Sequence, residues 1–213
     1  FKPETPGFRL TDAFTKARLF SRLGFDAVVE HRFDADFAAT SAMDFITNTL
    51  VRDMDISHAV IGYDFHFGQG REGTPEMLAT EGERFGFGTT IVESFSDEGG
   101  QPVSSSRVRD LLAKADVSEA NALLGYAFRV RGPVIKGKQL GRDLGYPTAN
   151  MFLPAEASLA HGIYAARAIT QNGMMYDGVA SYGRRPTFDD GPALLETHLF
   201  DFASELYDET LTV

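Results

Sequence analysis

Cysteine is absent from this 213-residue chain. Disulfides, thiolate nucleophiles and zinc–thiolate centres are therefore excluded, a composition compatible with a reducing cytosol, where the protein is expected. No apolar run approaches the ~20 residues of a membrane-spanning helix, so no membrane partner is expected. Basic residues are scarce as well. Twenty Lys and Arg stand against 30 Asp and Glu, a formal net charge of −10. Nucleic-acid backbones are held mainly by clustered Lys and Arg, so nucleic acid is not an expected partner and any basic function must be local. The opening FKPETPGFRL has neither an initiator Met nor the basic-then-apolar layout of a signal peptide. The expectation is a fragment of a longer protein or a trimmed chain.

What is present suffices for one large or two compact domains, since 43% of the residues are hydrophobic. From Arg9 to about Leu124 strand-like and helix-like pieces alternate. Asp26–Glu30, His58–Tyr63 and Thr89–Phe95 are short apolar runs typical of buried parallel strands. Ser41 with Asp44 resembles a capping box, ahead of Phe45, Ile46, Thr49 and Leu50 at helical spacing. Thr74-Pro75 opens another helix, with proline where its missing N–H is harmless. This alternation predicts a doubly wound α/β domain over residues 1–124, ending in a short helix over 117–124. After Gly125 the texture changes. Tyr126–Ile135, Gly162–Thr170, Met174–Tyr182 and Leu194–Phe202 read as strands between Gly, Pro and Asn turns, predicting a small antiparallel β-barrel over 125–213.

The stretch RGPVIKGKQLGRDLGYPTAN, Arg131 to Asn150, contains a near P-loop in Gly132, Gly137 and Lys138. Gln139 stands where a P-loop has its magnesium-binding hydroxyl, and Gly141, Gly145 and Pro147 interrupt the helix that should follow. The alternative is a glycine-rich flap whose backbone N–H groups face phosphates. Pro147 favours extended geometry before it, so PTAN enters a strand with Thr148 and Asn150 on one face. A hydroxyl and an amide oxygen suit a magnesium ion that keeps waters and takes its charge from substrate phosphates. Read without any resemblance, an ordinary surface loop explains the stretch slightly better.

In LLETHLF, Leu195, Thr197 and Leu199 share one strand face, while Glu196 and His198 share the other with Leu194 and Phe200. An acid on that mixed face is solvent-facing or functional, and pattern alone favours solvent. His198 reads as a structural histidine.

LGRDLGYPTAN resembles the signature of the riboflavin kinase family, and the likeness continues through GIYAAR (162–167), SYGRRPTF (181–188) and ETHLFDF (196–202). The resemblance implies that Gly137, Gly141 and Gly145 belong to a loop closing over ATP. It also implies that Thr148 and Asn150 contact Mg²⁺ and the phosphates, and that Glu196 is the base for the ribityl hydroxyl of riboflavin. Arg185 stands where the family commonly has Asn, and Asp208-Glu209 stand where Gly is usual. The family's helical tail does not appear before Val213.

Two segments of the first half complete the likeness. VIGYDFHFGQGREG (60–73) runs from an apolar strand into a Gly-rich loop, where open α/β sheets bind ligands. VSSSRVRDLL (103–112) sets serines and arginines at a helix start, suited to phosphate or simply to capping. Together they resemble the FMN adenylyltransferase module that precedes riboflavin kinase in bacterial bifunctional FAD synthetases. The resemblance implies a Rossmann-like nucleotidyltransferase fold for the first domain and the riboflavin-kinase form for the barrel. It further implies nucleotide or flavin contacts at Gly62, Asp64, Phe65 and Arg71, and phosphate contacts at Ser105, Ser106 and Arg109. Riboflavin, FMN and ATP are the implied small-molecule partners.

The family's His-x-Gly-His motif, which stabilises the α-phosphate as pyrophosphate leaves, has no counterpart among the five histidines. A flavin-nucleotide binding or regulatory module without turnover is the competing reading. An oligonucleotide-binding barrel is disfavoured by the acidic balance. The expectation for these 213 residues alone is FMN formation without efficient adenylylation. Chromatography after incubation with FMN and ATP checks it, and robust FAD production would contradict it.

Overall fold

The computed structural model describes residues 9–137, 141, 145–154, 157–184 and 192–213. It contains two compact units, one of Val29–Val103 and one joining the chain up to Val28 with Ser104–Val213.

In the first unit, α2 (Ala35–Ala38) and α3 (Ala42–Asp44) lead into a wider helical run over Phe45–Asp53. Ser41 starts α3 as the sequence suggests, its Oγ accepting from the Asp44 N–H at 3.0 Å. Strand β1 (His58–Gly62) pairs in parallel with β2 (Gly88–Val92), His58 opposite Gly88. Parallel neighbours need a crossover, and α4 (Pro75–Phe85) supplies it. Thr74 caps α4 through Met77 N–H at 3.2 Å, with Pro75 in the first turn. Ala42, Ile46, Phe67, Leu78 and Phe87 form the buried core.

The run Asp26–Glu30 is not a strand. Its backbone pairs with no neighbour among the described residues, and Val29 is 72% exposed. An apolar run has strand character only where a ladder partner takes its N–H and C=O groups.

In the second unit, α1 (Ala13–Arg22) is capped by Asp12, which accepts from Thr15 N–H at 2.6 Å. Helices α5 (Ser105–Ala113) and α6 (Val117–Leu124) bury Val108, Leu112 and Ala120 together. The rest is the antiparallel sheet of β3 (Arg131–Pro133), β4 (Ala149–Phe152), β5 (Gly162–Ile169), β6 (Met175–Gly183), β7 (Leu194–Leu199) and β8 (Thr210–Thr212). Their order is β3-β8-β5-β6-β7-β4. The Ile135 N–H donates to the Asn150 carbonyl at 2.8 Å, bridging the first strand's continuation to the last and nearly closing a barrel. Inside lie Val134, Met151, Tyr182, Leu195, Leu199 and Leu211.

The expected strand over 126–135 shrinks to Arg131–Pro133 for a local reason. The Phe128 N–H is taken by Asn121 Oδ1 of α6 at 2.7 Å, so the chain before Val130 answers to the helix, not to a strand.

Glycine is obligatory at position 68. Its φ is +74°, and a Cβ there would lie 2.5 Å from the Ala42 backbone nitrogen. Gly68→Ala is expected to destabilise the first unit by about 1–3 kcal/mol, seen as a lowered urea midpoint in unfolding followed by circular dichroism.

Candidate active site

The antiparallel register of β4 against β7 places Asn150 directly opposite Glu196, and Ser181 of β6 faces Glu196 from the other side. Directly opposed residues share a sheet face. Leu195, Thr197 and Leu199 point into the barrel and are buried, so Glu196 lies on the outer face, as alternation demands. It is not the fully solvated acid that strand pattern alone favours: the residue is half-buried and its Oε1 is shielded from solvent.

Asn150 is more deeply covered, at 5% exposure. Its Nδ2 donates weakly to the Thr148 carbonyl at 3.4 Å, whereas Oδ1 is buried without a hydrogen-bond partner. An unpaired buried amide oxygen costs about 1–3 kcal/mol. It is a ready acceptor for a cation or donor that arrives with a ligand.

The glycine flap explains how Asn150 is covered. A Cβ on Gly137 would lie 2.5 Å from Asn150 Nδ2, so a larger residue there would have to displace the buried amide. A Cβ on Gly141 would come within 3.9 Å of Thr148 Oγ1, and the Tyr146 N–H donates to the Gly141 carbonyl at 2.7 Å. Gly145 sits exposed in the intervening turn. Thr148 is half-buried just ahead of β4. The structure thus brings Gly137 to Asn150, Gly141 to Thr148, and Asn150 to Glu196. Lys138, Gln139 and Arg185 lie outside the described residues.

His198 has a part that strand pattern did not reveal. Its Nδ1–H donates to the Pro147 carbonyl at 2.8 Å, which fixes the tautomer, and its ring meets Tyr146 and Phe200 edge-on at 5.6 and 5.8 Å. It ties β7 to the segment that delivers Thr148. The only sequence signal was its position two residues after Glu196 on the same face. On the inner side, burial pushes the Tyr164 and Tyr182 phenols up, with each other's proximity a smaller contribution at Tyr164. Both stay neutral, and Tyr164 donates to the Ala160 carbonyl at 2.5 Å.

The other candidate residues fall in two places. In the first unit, Gly62 ends β1, and Asp64 and Arg71 are exposed on the loop beyond it. Arg71 adopts φ +63°, a left-handed conformation rare for a side chain of its size. Phe65 is half-buried and stacked on the core residue Phe67, centroids 5.5 Å apart. His66 Nδ1 meets the Gly73 carbonyl at 3.2 Å, holding the loop's two ends together. Hydrogen bonds from its own backbone N–H and from Thr74 hold the Glu76 carboxyl below its usual range, with His66 adding a weaker pull. In the second unit, Ser104 caps α5 by accepting from Arg107 N–H at 3.2 Å. Ser105 and Ser106 are left exposed in the first turn, with Arg109 half-buried one turn on.

Among the described residues no three His, Asp or Glu side chains cluster to hold a metal. A cation near Asn150 would take neutral oxygens, one carboxylate at most, and the charge of its ligand.

Comparison with known proteins divides the chain differently from the two compact units. Residues 1–107 match the FAD synthetase family and residues 124–213 the riboflavin kinase family. A bifunctional riboflavin kinase/FMN adenylyltransferase of Escherichia coli (strain K12) is 39% identical over 205 residues, 96% of this chain and 65% of that protein. The protein of that name from Pseudomonas fluorescens is 39% identical over 214 residues, covering 100% of this chain and 68% of its own length. The chain belongs to the bifunctional riboflavin kinase/FMN adenylyltransferase family. It spans somewhat under two thirds of the Escherichia coli relative. A crystal structure described as a macrolide-efflux protein from Streptococcus pneumoniae superimposes with a TM-score of 0.77 at 32% identity, covering 95% of this chain and 65% of that one. That name is the other protein's; here no described helix is long and apolar enough to cross a membrane.

Within this family member, the His198 contact is open to test. His198→Phe keeps a ring against Tyr146 but loses the bond to Pro147, and is expected to cost about 0.5–1.5 kcal/mol. Thermal unfolding measures it, with faster amide exchange at Thr148 and Ala149 marking the loosened segment.

Proposed function

We propose that this chain transfers the γ-phosphoryl group of ATP to riboflavin, giving FMN, and that in the intact protein the preceding domain adenylylates FMN to FAD. The domain division is placed between Leu124 and Gly125, and the setting is the cytosol. The observation that carries the kinase reading is the buried, unpartnered Oδ1 of Asn150 set opposite Glu196. Such an oxygen suits a hard cation with oxygen ligands, and the shortage of nearby acids suits a magnesium ion neutralised chiefly by substrate phosphates. Asn150 and Thr148 would hold it; when bound, it supplies charge neutralisation of the phosphates.

Glu196 accepts the proton of the ribityl 5′-hydroxyl as that oxygen attacks the γ-phosphorus. The new O–P bond forms as the bond from the γ-phosphorus to the β,γ-bridging oxygen breaks, and ADP leaves with the electron pair. Backbone N–H groups at Gly137, Gly141 and Gly145 face the phosphates, adding fixed dipoles without a side chain to displace. For the adenylyl transfer, Gly62, Asp64, Phe65 and Arg71 receive nucleotide or flavin, and Ser105, Ser106 and Arg109 the phosphates.

Glu196→Gln keeps the shape and removes the base. FMN formation, resolved chromatographically from riboflavin with ATP and Mg²⁺, is expected to fall by about 10²–10⁴-fold, while ATP–Mg²⁺ binding by calorimetry persists. Unchanged turnover would remove Glu196 from the chemistry. Nucleotide binding without turnover in the unaltered chain would favour a regulatory module.

A further inference from the structure

A second polar site lies in the second unit, between α1 and the sheet face formed by β3, β8 and β5. Phe14, Arg18 and Arg22 recur at four-residue spacing along one stripe of α1 and line a shallow, open groove with Arg129, Ile169 and Thr212. The register explains the opposite wall. Arg131 pairs with Thr212, and Thr212 with Ile169, so the three side chains form a row. Arg129, just ahead of β3, lines the same groove. The Arg131 guanidinium lies 4.3 Å over the Phe14 ring, and Arg18 approaches the same ring at 5.8 Å.

The charge state of this cleft is unusual for the molecule. In a chain of net charge −10, Arg18, Arg22, Arg129 and Arg131 make no ion pair with a carboxylate among the described residues. Elsewhere carboxylates meet Arg52, Arg84, Arg107 and Arg167 at 2.7, 3.3, 3.6 and 3.0 Å. The helix dipole favours Arg22, in the last turn of α1, but accounts for neither Arg129 nor Arg131. Stacking on Phe14 orients Arg131 while leaving its in-plane N–H groups available. Arg18, Arg22 and Arg131 are exposed, so their attraction for an anion is screened by salt and is strongest at low ionic strength.

We propose that this cleft binds a di- or triphosphate group. Guanidinium forks converging from a helix and a sheet match the paired oxygens of adjacent phosphates, and several phosphates neutralise several cations that would otherwise repel one another. Thr15 and Thr212 add hydroxyl donors. The site shares no residue with the Thr148–Asn150–Glu196 set and does not depend on the kinase reading.

The test is calorimetric titration of the full chain with inorganic triphosphate at low salt without magnesium. Four proteins are compared: unaltered chain, Arg22→Gln/Arg129→Gln, Asn150→Ala, and an Arg52→Gln/Arg84→Gln charge control. The expected result is a binding step whose affinity falls at least about tenfold in Arg22→Gln/Arg129→Gln, stays within about twofold in the charge control, and persists in Asn150→Ala, where only binding at the Thr148–Asn150 site is lost. Thr212→Glu, which sets a carboxylate in the cleft, is expected to weaken binding as well. ATP and triphosphate titrated into Asn150→Ala with and without Arg22→Gln/Arg129→Gln identify the source of the group: equal drops in affinity indicate the phosphate tail alone, and a larger drop for ATP a nucleotide. No binding to the unaltered chain, loss only in Asn150→Ala, or equal loss in the charge control overturns the proposal.

Discussion

The antiparallel register between β4 and β7 is the constraint on which the candidate site rests. It pairs Met151 with Leu195 and Ala149 with Thr197 toward the barrel interior, and Asn150 with Glu196 on the outside. A slip by one residue would turn the core outward and bury the acid. The hydrophobic pairs therefore hold the polar pair in place. Fully burying a leucine such as Leu195 is worth about 1.5–3 kcal/mol, comparable to the cost of leaving Asn150 Oδ1 unpaired.

Gly137 packs against the side chain that carries this orphan oxygen, and a larger residue there would have to displace the Asn150 amide. The same asparagine uses its carbonyl to receive Ile135 N–H and all but close the barrel. One residue thus links barrel closure to the polar site. His198 adds a second tether, from β7 to Pro147, so both ends of the flap refer back to the strand pair that carries Glu196.

Charge is distributed with similar economy. The chain is acidic as a whole, yet the α1 cleft gathers arginines without carboxylate partners. In the first unit the Gly-rich loop after β1 is pinned by Gly68 against Ala42 and by Glu72, whose Oε1 accepts the Ala42 N–H at 2.8 Å. Arg71 is left exposed in a left-handed conformation, strain that persists because both neighbouring segments fix the turn.

Much of this was legible in the sequence because the signals are local. Ser41, Thr74-Pro75 and the helix over 117–124 are capping and turn chemistry, and β5, β6 and β7 follow from period-two patterning, although β7 ends at Leu199 and not at the expected Phe202. The family motifs named Thr148, Asn150 and Glu196, and alternation put Glu196 on the face away from Leu195. What sequence left open depended on partners distant along the chain. Asp26–Glu30 had strand composition but no neighbour to pair with, and the segment before Val130 was claimed by Asn121 of a helix. Whether Glu196 met solvent, that its opposite number was Asn150, and that His198 grips Pro147 were decided only when the register was set. Local chemistry selects the elements; the pairing of strands 46 residues apart, Asn150 with Glu196, decides which side chains meet.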